Sequence, residues 1–222
     1  MAADHYFSAQ PSGEFVAKPL TVTLAGHPRD LHTAGGVFSP GGLDVGTHVL
    51  LSHVADPPPS GDLLDIGCGW GPITLTLAIE SPHATVWAVD VNERALDLTR
   101  RNAEALGLDN VRAVTPDAVP DDVRFMAIWS NPPIRVGKNE LHGMLDRWLP
   151  RLREGADAWL VVSRNLGSDS LQRWMADRFA GHLTVTRAAT HKGFRVLRVR
   201  NRSGLTGPIA TQGTPSDGDV RR

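Results

Sequence analysis

Asp65-Ile66-Gly67-Cys68-Gly69-Trp70-Gly71, continued by Pro72, decides the fold of this 222-residue chain. Residues 63–66 form a short, mostly apolar run of the buried-strand type, and a helix begins at Pro72, where a missing amide hydrogen costs nothing. Glycines at every second position between a strand and a helix let a ligand approach the backbone closely; the plainer alternative is a tight structural turn. A dinucleotide fingerprint needs its third glycine where Pro72 stands, so the spacing argues against a nicotinamide cofactor.

Outward from this loop, short apolar runs alternate with helical periodicity. Strands are predicted over 63–66, 85–90, 111–115, 125–129 and 158–163, and helices over 72–80, 93–106, 141–151 and 171–179. Segments 183–190 and 194–200 flank His191-Lys192-Gly193 as a closing hairpin. The sum is an α/β fold with an open, doubly wound, mostly parallel seven-stranded sheet that ends in a C-terminal antiparallel hairpin. An additional strand over 20–24 and an amphipathic helix over 46–54 precede it. Residues 1–13 and 203–222, rich in small and polar residues, read as mobile tails around a single domain, 14–202.

The net charge of −1 conceals an asymmetry: residues 1–123 carry 6 Lys+Arg against 16 Asp+Glu, and the remainder 17 against 8. Arg187, Lys192, Arg195, Arg198, Arg200 and Arg202 fall in one stretch without an acid. That stretch fits a phosphate-bearing partner, or else solvated charges that guard a sheet edge against aggregation. One cysteine, Cys68, excludes an internal disulfide, and with no leader-like start and no long apolar run the expectation is a cytoplasmic protein without a membrane span. The nine histidines lack metal-ligand spacing, so no metal is expected.

Asp90 ends the second core strand, nineteen residues after Gly71, where a carboxylate can accept hydrogen bonds from both ribose hydroxyls. Asp117, after the third, is placed to meet an adenine amino group, or else to form a turn. Asp65 either supports the loop's ligand or is a satisfied buried carboxylate. Asn131-Pro132-Pro133 follows the fourth strand at its carboxyl end. Consecutive prolines restrict their own dihedrals and that of Asn131, so the asparagine oxygen and a proline carbonyl can be fixed as two acceptors for the two hydrogens of an exocyclic amine. Holding both would turn the nitrogen lone pair out of conjugation.

The loop, with Asp90 and Asp117 at successive strand ends, resembles the class I S-adenosylmethionine-dependent methyltransferases, which implies a Rossmann-like sheet and S-adenosylmethionine as cofactor. Asn131-Pro132-Pro133 resembles the motif of members that methylate amino groups of bases or of glutamine. That motif usually continues with Phe or Tyr, which can stack on the substrate; here the residue is Ile134, leaving Trp129, Phe38 or Phe194 to supply a ring. Gly35-Gly36-Val37-Phe38-Ser39, Leu43-Asp44-Val45-Gly46-Thr47 and Gly137-Lys138 extend the resemblance to the small-domain family that includes the bacterial ribosomal RNA guanine-N2 methyltransferases.

The resemblance implies that the segment before the loop covers the cofactor. Gly46 and Thr47 join Asp65, Gly67, Gly69, Gly71, Asp90, Asp117 and Asn131 as cofactor-binding candidates, although Thr47 also reads as a helix N-cap. Asn131 and Pro132 are the candidate catalytic pair, and Pro133, Ile134, Arg135 and Lys138 are substrate-binding candidates. The expected activity is methyl transfer to an exocyclic amine, guanine N2 of ribosomal RNA first. A protein glutamine-N5 or adenine-N6 acceptor, and a non-catalytic RNA- or protein-binding module, are the alternatives. Several family members carry a second, degenerate copy of the domain for substrate recognition. With no room for one in 222 residues, the basic hairpin, a homodimer partner or a ribosomal surface is expected to guide target choice.

Overall fold

The structure, a computed structural model, describes residues 15–133 and 136–203. Ile134, Arg135 and, apart from Ser203, the expected tails lie outside the described residues. In chain order the elements are β1 (Ala17–Leu24), β2 (His27–Ala34), α1 (Val45–Leu51), β3 (Ser60–Ile66), α2 (Pro72–Glu80), β4 (His83–Val89), α3 (Glu93–Ala105), β5 (Val111–Val114), β6 (Phe125–Ser130), α4 (Lys138–Trp148), β7 (Leu152–Ser163), α5 (Ser168–Arg178), β8 (Leu183–His191) and β9 (Phe194–Asn201).

Strands β3 to β9 form one sheet in the order β5-β4-β3-β6-β7-β9-β8, while β1 and β2 pair separately. Pairing is parallel from β5 to β7, and β9 runs antiparallel to both β7 and β8, as the sequence predicts. Chain order reverses between β3 and β6, and the crevice outside their carboxyl ends is where open α/β sheets bind ligands.

The sheet is buried on both faces, which is why its central strands are apolar at nearly every position. Leu63, Val86, Trp129 and Val161 face Val49 and Leu50 of α1 and Ile73 and Leu77 of α2. Leu64, Ile128, Leu160 and Leu197 face Leu141 and Leu145 of α4 and Met175 of α5. The β1–β2 hairpin packs Leu24 and Leu31 on Trp70, Leu75 and Leu98, which closes the α2–α3 side.

Three local features depart from the sequence reading. Strand β2 reads as polar and contains Pro28, and only its Leu31, Thr33 and Ala34 are buried, so its alternation is masked. A proline is tolerated there because β2 has a partner on one side only. Strand β7 starts at Leu152, not near residue 158: the register shifts between Phe125 and Ala127, and the loop-like Arg153-Glu154-Gly155 lies inside the strand. The helix expected to run to residue 151 stops at Trp148 and tightens into a 3-10 turn over Leu149–Arg151, since Pro150 cannot continue an α-helix.

Candidate active site

The glycine loop closes on the end of β4: the amides of Gly67 and Cys68 donate to the Val89 carbonyl at 2.8 and 3.1 Å. Gly67 and Gly69 have φ of 76° and 58°, a left-handed conformation that a side chain resists. Asp90 braces the turn, its Oδ2 accepting from Gly69 N at 3.1 Å and its Oδ1 from Asn92 N at 2.9 Å. Burial raises its pKa from the ordinary value, against the pull of those amides. The segment before the loop is tied down over it, because Asn92 Nδ2 donates to Gly36 O at 2.8 Å and Trp70 Nε1 to Ser39 O at 3.3 Å.

Two loop residues lie behind the turn. At Gly71, φ is 101° and an added Cβ would stand 3.1 Å from Thr99 Oγ1, so this glycine permits α2 to pack on α3. Asp65 is fully buried; its Oδ2 accepts from the amide and hydroxyl of Thr74 at 3.0 and 2.6 Å, which anchors the first turn of α2 to β3. Its Oδ1 has no partner among the described residues, and burial pushes its pKa up to about 7. Cys68 is equally buried, and its thiol is pushed up by burial and by the nearby Asp90 and Asp65 carboxylates, the reverse of a reactive thiolate.

Sheet register places Asn131-Pro132-Pro133, the candidate clamp for an amine, beside this loop. Ile66 pairs with Ser130, whose hydroxyl donates to Ile66 O at 2.7 Å, so the next residue on each strand, Gly67 and Asn131, leaves the sheet side by side. Pro133 stands close behind, its Cδ 3.7 Å from where a Gly67 Cβ would be. Val136 N donates to Pro133 O at 3.1 Å, which leaves Pro132 as the proline whose carbonyl the clamp would use.

Asn131 is held from the N-terminal segment. Its Nδ2 lies 3.2 and 3.1 Å from the two carboxylate oxygens of Asp44 and 3.0 Å from Thr47 Oγ1. Asp44, not Thr47, is the N-cap of α1, accepting from the amides of Gly46 and Thr47, and Thr47 donates its hydroxyl to Asp44 Oδ2 at 2.6 Å. The sequence signal was present in Leu43-Asp44-Val45-Gly46-Thr47, but only the fold shows that one carboxylate caps the helix and grips the clamp.

These groups border a cavity of about 1160 Å³ at the reversal point, lined by Gly67, Gly69, Asp90, Asn131, Pro132 and Pro133, with Val91, Trp148, Phe38 and Phe194 as apolar walls. That exceeds what one small ligand needs, so a nucleoside cofactor and an acceptor can sit side by side. Positive-φ glycines, a carboxylate facing the cavity and flat apolar walls suit a purine nucleoside with adjacent hydroxyls. Thr47 borders a small adjoining pocket with Asp44 and Asn131, while Gly46 is packed behind the clamp. Asp117 is 90% exposed and paired with Arg147 at 2.7 Å; Arg147 also donates to Pro116 O and, with Pro116, lines the cavity. Lys138 is exposed at the start of α4. Of the three rings considered, Trp129 is buried in the core, whereas Phe38 and Phe194 reach the cavity.

The basic hairpin is largely paired within the fold: Arg187 and Arg195 reach Asp169, and Arg198 and Arg200 reach Asp157. Lys192 and Arg202 are exposed. Among the described residues no cluster of His, Cys, Asp and Glu could hold a metal, and no helix is long and apolar enough to cross a membrane.

Comparison with known proteins agrees with this geometry. Residues 29–198 match the model of the methyltransferase small domain. The chain is 30% identical to protein YbxB of Bacillus subtilis, covering 89% of this chain and 98% of that protein. It is 31% identical to ribosomal RNA small subunit methyltransferase C of Stutzerimonas stutzeri, covering 86% of this chain and 56% of the relative. The chain thus spans about half the length of the methyltransferases C it matches. The T. thermophilus 16S rRNA N2 G1207 methyltransferase, solved in complex with AdoMet and guanosine, shares the fold at a TM-score of 0.74 with 23% identity, over 84% of this chain and 51% of that one. By sheet order, loop and sequence, the chain belongs to the methyltransferase small domain family of S-adenosylmethionine-dependent enzymes.

Proposed function

We propose that this protein transfers a methyl group to an exocyclic amine of RNA, guanine N2 of small-subunit ribosomal RNA being the acceptor that best fits. The observation that carries this reading is Asn131-Pro132 placed by β3–β6 register beside Gly67, in one cavity with Asp90. When bound, S-adenosylmethionine supplies an electrophilic sulfonium methyl group. Gly67 and Gly69 give its backbone-facing side room, and Asp90 retains lone pairs for the ribose hydroxyls.

The protein's part in the reaction is orientation. Asn131 Oδ1 and the Pro132 carbonyl accept the two amine hydrogens, which rotates the nitrogen lone pair out of the base's π system and leaves it available as a nucleophile. The new N–C bond would form as the sulfonium S–C bond breaks, leaving S-adenosylhomocysteine, and the methylated nitrogen, now acidic, would lose its proton to solvent, so no strong base is needed at the clamp. The ring expected after the two prolines is replaced by Ile134, and Phe194, beside Asn131, takes its place as the stacking surface. Relatives named for small-subunit ribosomal RNA support the acceptor class.

Asn131→Ala tests the reading. It should bind S-adenosylmethionine in calorimetry as the unsubstituted protein does, and lose methyl transfer to ribosomal RNA by about a hundredfold or more. Undiminished turnover would sink the clamp assignment.

A further inference from the structure

The amide of Asn131 has two possible orientations that differ by a half-turn, and only one presents its oxygen to an amine. We propose that Asp44 sets this orientation, acting as the positioning residue for the clamp; this rests on the reading of Asn131 given above. A carboxylate only accepts hydrogen bonds, so the Asn131 nitrogen, 3.1 and 3.2 Å from the Asp44 oxygens, must be the group that faces it. Thr47 reinforces the choice. Its hydroxyl hydrogen is committed to Asp44 Oδ2 at 2.6 Å, so the oxygen 3.0 Å from Asn131 Nδ2 can only accept. Three oxygens therefore surround the amide nitrogen, and Oδ1 is turned away from all of them.

Asp44 is itself immobilised. It accepts from the amides of Gly46 at 2.8 Å and Thr47 at 3.4 Å, as the N-cap of α1. Gly46 is needed for the approach: an added Cβ would lie 3.0 Å from Asp44 Oδ1, 3.0 Å from Phe194 Cε1 and 3.2 Å from Asn131 Nδ2. One carboxylate thus ties the start of α1 to the clamp after β6, and the Phe194 ring packs against Gly46 beside them. The carboxylate's negative charge, held against the amide nitrogen, also polarises Oδ1 and makes it a better acceptor for an amine.

Asp44→Ser and Asp44→Asn separate this role from helix capping, because serine and asparagine cap helices about as well as aspartate. Both variants should melt within ~4 °C of the unsubstituted protein and keep its S-adenosylmethionine affinity. Each should lower kcat for ribosomal RNA by about tenfold to a hundredfold with little change in KM. Combined with Asn131→Ala, the Asp44 change should add no further loss. A substrate-free readout accompanies these: hydrogen exchange at the Asn131 side-chain amide, followed by NMR, should quicken by about tenfold or more in both variants.

Unchanged exchange and undiminished kcat in both would overturn the proposal, as would full additivity with Asn131→Ala. A protein that shows Asp44-dependent exchange but no transfer to RNA would instead refute the acceptor assignment and leave the positioning role standing.

Discussion

Replacing Asp65 by asparagine should change how the stability of the ligand-free protein depends on pH. Asp65 is fully buried, and its pKa is pushed from the ordinary 3.8 up to about 7, by desolvation first and by the Asp90 carboxylate as well, with the two Thr74 hydrogen bonds opposing. A carboxyl whose folded pKa lies above its unfolded value holds its proton more tightly when folded. Its contribution to stability is therefore complete below an unfolded pKa of 3.8 and lost as pH rises through about 7. Integrated between about pH 5 and about pH 8, this single group removes roughly 2 to 3 kcal/mol of stability. Asparagine retains an oxygen for Thr74 and carries no charge, so the variant lacks this slope. Urea unfolding of both proteins across that range checks the prediction: the unsubstituted protein should lose stability relative to Asp65→Asn as pH rises. Parallel curves would show that Asp65 does not titrate as its burial requires, and would refute the reasoning.

Two further outcomes follow from the geometry. Gly71→Ala should destabilise by about 1 to 3 kcal/mol in thermal or urea unfolding, because alanine resists a φ of 101° and its Cβ would crowd Thr99. Phe194→Leu keeps an apolar side chain but removes the ring beside Asn131; KM for ribosomal RNA should rise by about fivefold, with S-adenosylmethionine affinity unchanged in calorimetry, and an unaltered KM would remove Phe194 as the stacking surface.

The order of the central elements was legible in the sequence because buried parallel strands and amphipathic helices advertise themselves over a few residues. Helix α3 shows this in its exposed Glu93 and Arg100 against buried Leu96, Leu98 and Ala103. Glycines 67 and 69, Asp90 and the Asn131-Pro132-Pro133 step could be marked as candidates for the same reason: each sits at the end of an apolar run. Strand β2 was not legible, since its pairing with β1 is carried by backbone hydrogen bonds beneath a polar sequence. The inner break of β7 was hidden as well, because a register shift belongs to two strands at once.

The site divides along the same line. Composition alone gave the hairpin a row of arginines, but Asp169 and Asp157 meet four of them only after α5 and β7 have packed against it. Asp117 stood at a plausible strand end, yet its partner, Arg147, comes from the far end of α4. By itself the sequence determined the alternating fold, the cofactor loop and the amide that follows β6, since each is written in residues that are near neighbours along the chain. Only the tertiary structure decided which way that amide faces. Asp44 and Asn131 are separated by 87 residues, and a carboxylate can orient an amide only at hydrogen-bonding distance, which the packing of α1 against one face of the sheet creates.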